Sequence, residues 1–236
     1  MSILEIKLEG IGKKYNDLKV IDDFSMNFSS NEVHCIFGPS GCGKSTLLNI
    51  LTGLIDSYSG KIEGLEDKRF SYVFQEDRLI PWLSVKENIR FVLESNHNKA
   101  EIERTCEKYL DLVKLSNFKN NYPKELSGGM KQRVSIARAL AYGGDIIVMD
   151  EPFKGLDMEI KKNMMDYITD YCKLNNKLFI YTTHDTLEAV YMADNIYVFE
   201  GPPLKLKKSV HVDTPFDNRK VKMEEIKKYE EALIMP

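Results

Sequence analysis

Apolar and polar residues alternate early in the chain. Leu4, Ile6 and Leu8 take turns with Glu5 and Lys7, the two-residue period of a half-buried strand. Phe24, Met26 and Phe28 alternate in the same way with Ser25, Asn27 and Ser29. The Ser-Ser-Asn turn signal at 29–31 then predicts a hairpin over 24–37. Residues 33–37 run directly into a glycine-rich segment, and 44–54 carry a helical pattern that stops at Gly53 and the polar stretch 56–60. Another strand is expected at 69–74. The character then changes. Ile102, Cys106, Leu110 and Val113 fall on one helical face, and a second helix over 127–141 aligns Met130, Val134, Ala137 and Ala141. Strands return at 146–149, 178–183 and 196–199, with a helix at 185–193 between the last two. The pattern predicts an α/β core (1–75 and 143–236) interrupted by a mostly helical insertion (76–142). The charged end, 220–231, reads as a solvated surface helix.

Composition narrows the field. The chain has 236 residues, 43% hydrophobic and 29% charged, which is ordinary for a globular protein and wrong for a disordered one. A net charge of -3 gives no global basic balance, so no nucleic-acid partner is expected. The longest apolar runs are strand-sized, and the N-terminus lacks the pattern of a signal peptide, so the chain is expected to stay in the cytosol. Cys35, Cys42, Cys106 and Cys172 form no CxxC pair, which argues against zinc and disulfides and for free thiols.

Three motifs carry chemistry. Gly38-Pro39-Ser40-Gly41-Cys42-Gly43-Lys44-Ser45-Thr46 fits GxxxxGK[ST], between a predicted strand and a predicted helix. Glycines let backbone N–H groups converge on a polyanion, and the helix N-terminus adds positive potential. Lys44 would reach the terminal phosphates of a nucleotide, and the Ser45 hydroxyl would bind Mg2+. The run Ile146-Ile147-Val148-Met149-Asp150-Glu151-Pro152 is an apolar strand ending in two acids. Ligands of open α/β sheets sit beyond the strand C-terminal ends, which suits Asp150 to the metal and Glu151 to the attacking water. Thr182-Thr183-His184-Asp185 repeats the arrangement: a strand delivers His184 toward the γ-phosphate, and Asp185 can cap the next helix.

Leu126-Ser127-Gly128-Gly129-Met130-Lys131-Gln132-Arg133 resembles the LSGGQ signature of ABC ATPases, with Met130 where the family usually has Gln. The resemblance implies a P-loop NTPase with an ABC-type ATPase core, an N-terminal antiparallel β subdomain and a helical insertion. It also implies a head-to-tail homodimer, in which Ser127, Gly128 and Gly129 of one chain cover the ATP held by the other. On the same basis Gln75 matches the Q-loop glutamine that senses magnesium and water, and Tyr15 the aromatic that stacks on adenine, against a simple surface tyrosine in a loop. His184 matches the switch histidine. Gly155-Leu156-Asp157 matches the D-loop, although Phe153 and Lys154 stand where small residues are usual.

The stretch 75–89, with Leu79-Ile80-Pro81-Trp82, is similar to ATPases that serve nitrate, sulfonate and taurine importers, and to thiamine-precursor importers. This implies that Leu79, Ile80 and Trp82 dock a transmembrane permease at the cytoplasmic face of the membrane, with an extracellular solute-binding protein acting indirectly. The competing reading is that these side chains pack the local core. Among function classes, a chromosome or repair ATPase would need coiled-coil arms between the motifs, and a ribosome-associated ABC protein would carry two ATPase units. A small-molecule kinase would leave the signature unexplained. A soluble ABC-type ATPase without a permease stays open.

Overall fold

The structure, a computed structural model, describes residues 3–30, 32–94, 98–221 and 226–234. In chain order the elements are β1 (Glu5–Tyr15), β2 (Leu18–Ser29), β3 (Val33–Phe37), α1 (Lys44–Leu51), β4 (Ser59–Glu63), β5 (Phe70–Val73), α2 (Val85–Arg90), α3 (Lys99–Leu112) and α4 (Gly128–Tyr142). Then come β6 (Ile146–Asp150), α5 (Met158–Leu174), β7 (Leu178–Thr183), α6 (Thr186–Met192), β8 (Asn195–Glu200), β9 (Lys205–His211), α7 (Phe216–Val221) and α8 (Lys227–Ile234). Contacts divide the chain into two compact units, Met1–Lys68 with Thr169–Pro236, and Arg69–Ile168.

The first unit holds an antiparallel sheet of order β2-β1-β4 and the strands β7-β3-β8-β9. The hairpin expected over 24–37 does not form. β2 pairs with β1, whereas β3 lies parallel between β7 and β8. The reason is visible in β3 itself: Val33, His34, Cys35 and Ile36 are all buried, so the strand needs cover on both faces. The alternating β2 needs cover on one. The hairpin that does form joins β1 to β2, with Tyr15 opposite Leu18 and Asn16 at φ 51 in the two-residue turn. The polar β4 and the lysine-rich β9, which no apolar alternation announces, lie at the edges of their sheets.

Asp194, between α6 and β8, fastens this unit together. Its carboxylate accepts from the backbone N–H of Val33 at 2.9 Å, from Lys173 Nζ at 3.0 Å and from Arg219 at 2.9 Å. Arg219 on α7 is 1% exposed and also donates to the carbonyls of Ala193 at 2.6 Å and Val212 at 3.1 Å. The 220–231 segment is therefore not simply solvated. Residues 222–225 lie outside the described residues, but Ile226 and Tyr229 are buried.

In the second unit β5 and β6 are parallel, with Val73 opposite Met149, and every residue of β6 is buried. Helices α2 and α3 both open with capping boxes, Ser84 with Glu87 and Asn98 with Glu101. The α3 face expected from Ile102, Cys106, Leu110 and Val113 is buried as a set. All four cysteines are free and buried.

Candidate functional site

The phosphate loop is shaped by contacts that exclude side chains. A Cβ on Gly38 would lie 2.6 Å from the Phe199 carbonyl oxygen. Gly43, the N-cap of α1, sits at φ +113, and a Cβ there would press on Val20 and Leu204 at 3.2–3.3 Å. Only glycine satisfies both demands at Gly43. Lys44 is 5% exposed, and its ammonium donates to the carbonyls of Gly38 at 2.8 Å and Pro39 at 2.9 Å, so the charge is held over the loop. Cys42 is buried beneath the loop; Ser45 and Thr46 are half-buried in the first turn of α1; Pro39, Ser40 and Gly41 are exposed.

Parallel register brings His184 to the same place. Phe37 pairs with Thr183, so the residues that follow, Gly38 and His184, leave adjacent strands side by side. His184 is exposed where β7 ends, and Asp185 caps α6 by accepting from Glu188 N at 3.2 Å. Behind the loop, burial pushes the Cys35 thiol up; Tyr181 opposes this, Glu188 adds to it and Lys44 opposes it. Lys44 and Glu188 thus both act on one buried sulfur. Tyr15 is 45% exposed at the end of β1 rather than in a loop. Its hairpin reaches the phosphate loop through Val20, and the Lys13 ammonium lies 5.0 Å from its ring centroid.

In the second unit, the β5/β6 register sends Gln75 and the acids Asp150 and Glu151 out from neighbouring strand ends. Asp150 is 4% exposed and Glu151 7%, while Gln75 is open. Burial pushes the Tyr72 phenol up, and the nearby Asp150 charge pushes it further. Glu151 has φ 47, an uncommon conformation for a residue with a side chain and one that gathers at working sites. Lys154, the residue that departs from the usual D-loop, places its ammonium 3.5 Å from the Glu151 carboxylate. Lys154 is itself 62% exposed, so the pair adds little stability.

The signature opens α4. Ser127 caps the helix by accepting from Met130 N at 3.3 Å, a contact of about 1 kcal/mol. Ser127 and Gly128 are exposed, and a Cβ on Gly129 would come within 3.1 Å of the Gly155 carbonyl, so the signature lies against the D-loop of its own chain. Gln132 Nε2 donates to Pro152 O at 3.1 Å, and Asp157 accepts from Ile160 N at 3.0 Å to start α5. Further along α4, Ser135 donates to Asp77 O at 2.5 Å and Arg138 to Arg78 O at 3.1 Å. Buried Asn88 donates to the carbonyls of Ile80, Leu83 and Ser84 at 3.0–3.2 Å. This fastened loop leaves Trp82 75% exposed, so the tryptophan does not pack the local core. Asn88 and Gln132 stand inside the stretches that resemble the family, and Ser135 and Arg138 follow on the same predicted helix, but the sequence assigns none of the four a role; their signal is position, polar residues inside helices where a strictly apolar face would not need them.

A family model described as ABC transporter matches residues 21–154. The chain belongs to the ABC transporter family. As an ABC ATPase it converts ATP and water to ADP and phosphate. This ABC ATPase is 36% identical over 219 residues to the aliphatic sulfonates import ATP-binding protein SsuB of Bacillus licheniformis, covering 90% of this chain and 85% of that one. It is 36% identical over 225 residues to the nitrate import ATP-binding protein NrtD of Synechocystis sp., covering 92% and 84%. Among solved structures, the dimeric post-hydrolysis state of the ATP-binding cassette MJ0796 bound to ADP and Pi matches with TM-score 0.79 and 28% identity, over 89% of this chain and 100% of that one.

The ABC ATPase has donors that suit magnesium. Ser45 offers a hydroxyl in the first turn of α1 and Asp150 a buried carboxylate at the end of β6, both hard oxygen ligands. Among the described residues no group of three or more His, Cys, Asp or Glu could hold a metal.

Proposed function

We propose that this chain is the ATPase subunit of an importer, a homodimer at the cytoplasmic face of the membrane that drives uptake of a small solute of the sulfonate or nitrate type. The observation that carries the ATP-hydrolysing part of this reading is the strand register that sets the phosphate loop beside His184. The import functions named for relatives at 36% identity support the direction and solute class. Among the described residues no helix is long and apolar enough to cross a membrane. The relatives named as import ATP-binding proteins support a separate permease as the pore. The exposed Trp82, on a loop pinned by Asn88, Ser135 and Arg138, offers that partner a firm apolar anchor. A solute-binding protein outside the cell would deliver the solute.

In the reaction, the loop from Gly38 to Thr46 and Lys44 bind the phosphates, and Tyr15 stacks on adenine. Ser45, Gln75 and Asp150 would hold Mg2+, which when bound would offset phosphate charge. Glu151 takes a proton from the water whose oxygen attacks the γ-phosphorus. The bond to the oxygen bridging the β- and γ-phosphorus breaks, and His184 steadies the γ-phosphate oxygens. Ser127, Gly128 and Gly129 of the second copy close over the nucleotide, so hydrolysis loosens the dimer.

The test is affinity capture of the tagged chain from membranes, followed by ligand screening of any solute-binding protein captured with the permease. A polytopic permease should co-purify, and a purely soluble set of partners would refute the transport reading. The Glu151→Gln variant should bind ATP, accumulate as a dimer in size-exclusion chromatography and turn over at least about 100-fold more slowly. Normal turnover would remove Glu151 from the role of base.

A further inference from the structure

Glu188 belongs to neither the phosphate loop nor the metal site, yet it is a carboxylate only 5% exposed, one helical turn after His184. Its surroundings form a closed ring of hydrogen bonds. Thr183 Oγ1 donates to Glu188 Oε2 at 2.5 Å. The same Thr183 oxygen accepts from Asp185 N at 3.1 Å. The Asp185 carboxylate then accepts from Glu188 N at 3.2 Å. His184 is the residue between the two that the ring ties down, and its own side chain stands exposed at the end of β7. The Tyr181 hydroxyl donates to the carbonyls of Glu188 at 3.0 Å and Ala189 at 3.2 Å, so the strand that delivers His184 also grips the helix that follows it.

A helix cap needs only the Asp185 contact. Burying a carboxylate carries a desolvation cost, and a neutral residue of similar size would pack α6 without it. The arrangement is intelligible if the backbone at His184 must be held to one conformation. Resting on the role given to His184 above, we infer that Glu188 is a positioning residue for ATP hydrolysis, fixing the His184 backbone through Thr183 and Asp185 so that the imidazole meets the γ-phosphate in a single pose.

A double-mutant cycle in the full chain tests this, because a residue that acts through His184 has nothing left to act on once the imidazole is gone. The assay is steady-state ATP hydrolysis with Mg-ATP. Glu188→Ala should lower kcat by about 100-fold, the scale of a misplaced catalytic group, with KM for ATP unchanged. His184→Ala should be slow as well, and adding Glu188→Ala to it should cause no further loss. Glu188→Gln keeps an oxygen for the Thr183 hydroxyl and should recover most of the rate. If Glu188→Ala does not fold, Thr183→Val opens the ring from the other side and should show the same dependence on His184. Full, multiplicative loss on top of His184→Ala overturns the Glu188 role alone, as does a raised KM with intact kcat. A fully active His184→Ala overturns the role of His184 and this inference with it.

Discussion

Replacing Arg219 with alanine should unfasten the C-terminal helices from the nucleotide-binding unit. The guanidinium is 1% exposed and donates to the carbonyls of Thr214 at 2.5 Å, Ala193 at 2.6 Å and Val212 at 3.1 Å, besides its ion pair with Asp194 at 2.9 Å. Breaking a buried charge pair from one side costs about 3–5 kcal/mol, because the remaining charge and carbonyls lose their partner away from water. Here Lys173 still reaches Asp194 at 3.0 Å and is itself partly exposed, which favours the lower end, about 3 kcal/mol. For a chain of this length each kcal/mol moves Tm by about 2–4 °C, so a fall of about 6–12 °C is expected in differential scanning calorimetry. Arg219→Lys keeps the charge but not the fork of donors, and should fall between the two. A shift under about 2 °C for Arg219→Ala would refute the argument that the guanidinium is the fastening.

Two further substitutions test separate parts of the molecule. Gly38→Ala would drive a methyl to 2.6 Å from the Phe199 carbonyl, so binding of a fluorescent ATP analogue should be lost; affinity equal to wild type would mean the loop yields freely. His34 is buried in β3, and burial lowers its pKa, so the folded state resists a proton that the unfolded chain accepts. Stability from this residue is therefore present above the ordinary histidine pKa of about 6.5 and lost as pH falls below it. Urea midpoints between about pH 7 and pH 5 should drop for the wild type and drop less steeply for His34→Gln; parallel slopes would contradict the burial argument.

The motifs were legible because each is local. A loop that must cradle phosphate needs glycine at fixed offsets, and Gly38 and Gly43 prove to be places where a methyl group would collide or strain the backbone. The destination of β3 was not legible. The alternation of Phe24, Met26 and Phe28 followed by a turn fits a hairpin equally well, and the partner strands that bury β3 lie far along the chain. Edge strands β4 and β9 escaped for the opposite reason: their polar sequences carry no apolar period to read. The roles of Glu188 and Asn88 were not legible because a polar residue inside a helix looks solvated until tertiary contacts enclose it. The surface of Trp82 was the reverse case, an apolar side chain that local pattern alone could equally have assigned to the core.

The register of β3 also has a consequence in time. Phe37 pairs with Thr183 and His34 with Asn195, so the strand that carries the phosphate loop has its neighbours about 150 residues downstream. At synthesis rates of about 5–20 residues per second, that strand waits roughly 8–30 s for the chain that will flank it. A growing polypeptide that has already made Lys44 and Ser45 therefore has the letters of a nucleotide site and no site. Ribosome-bound intermediates are expected to stay silent toward ATP until β7 and β8 emerge, and products terminated before them should fail to retain the nucleotide.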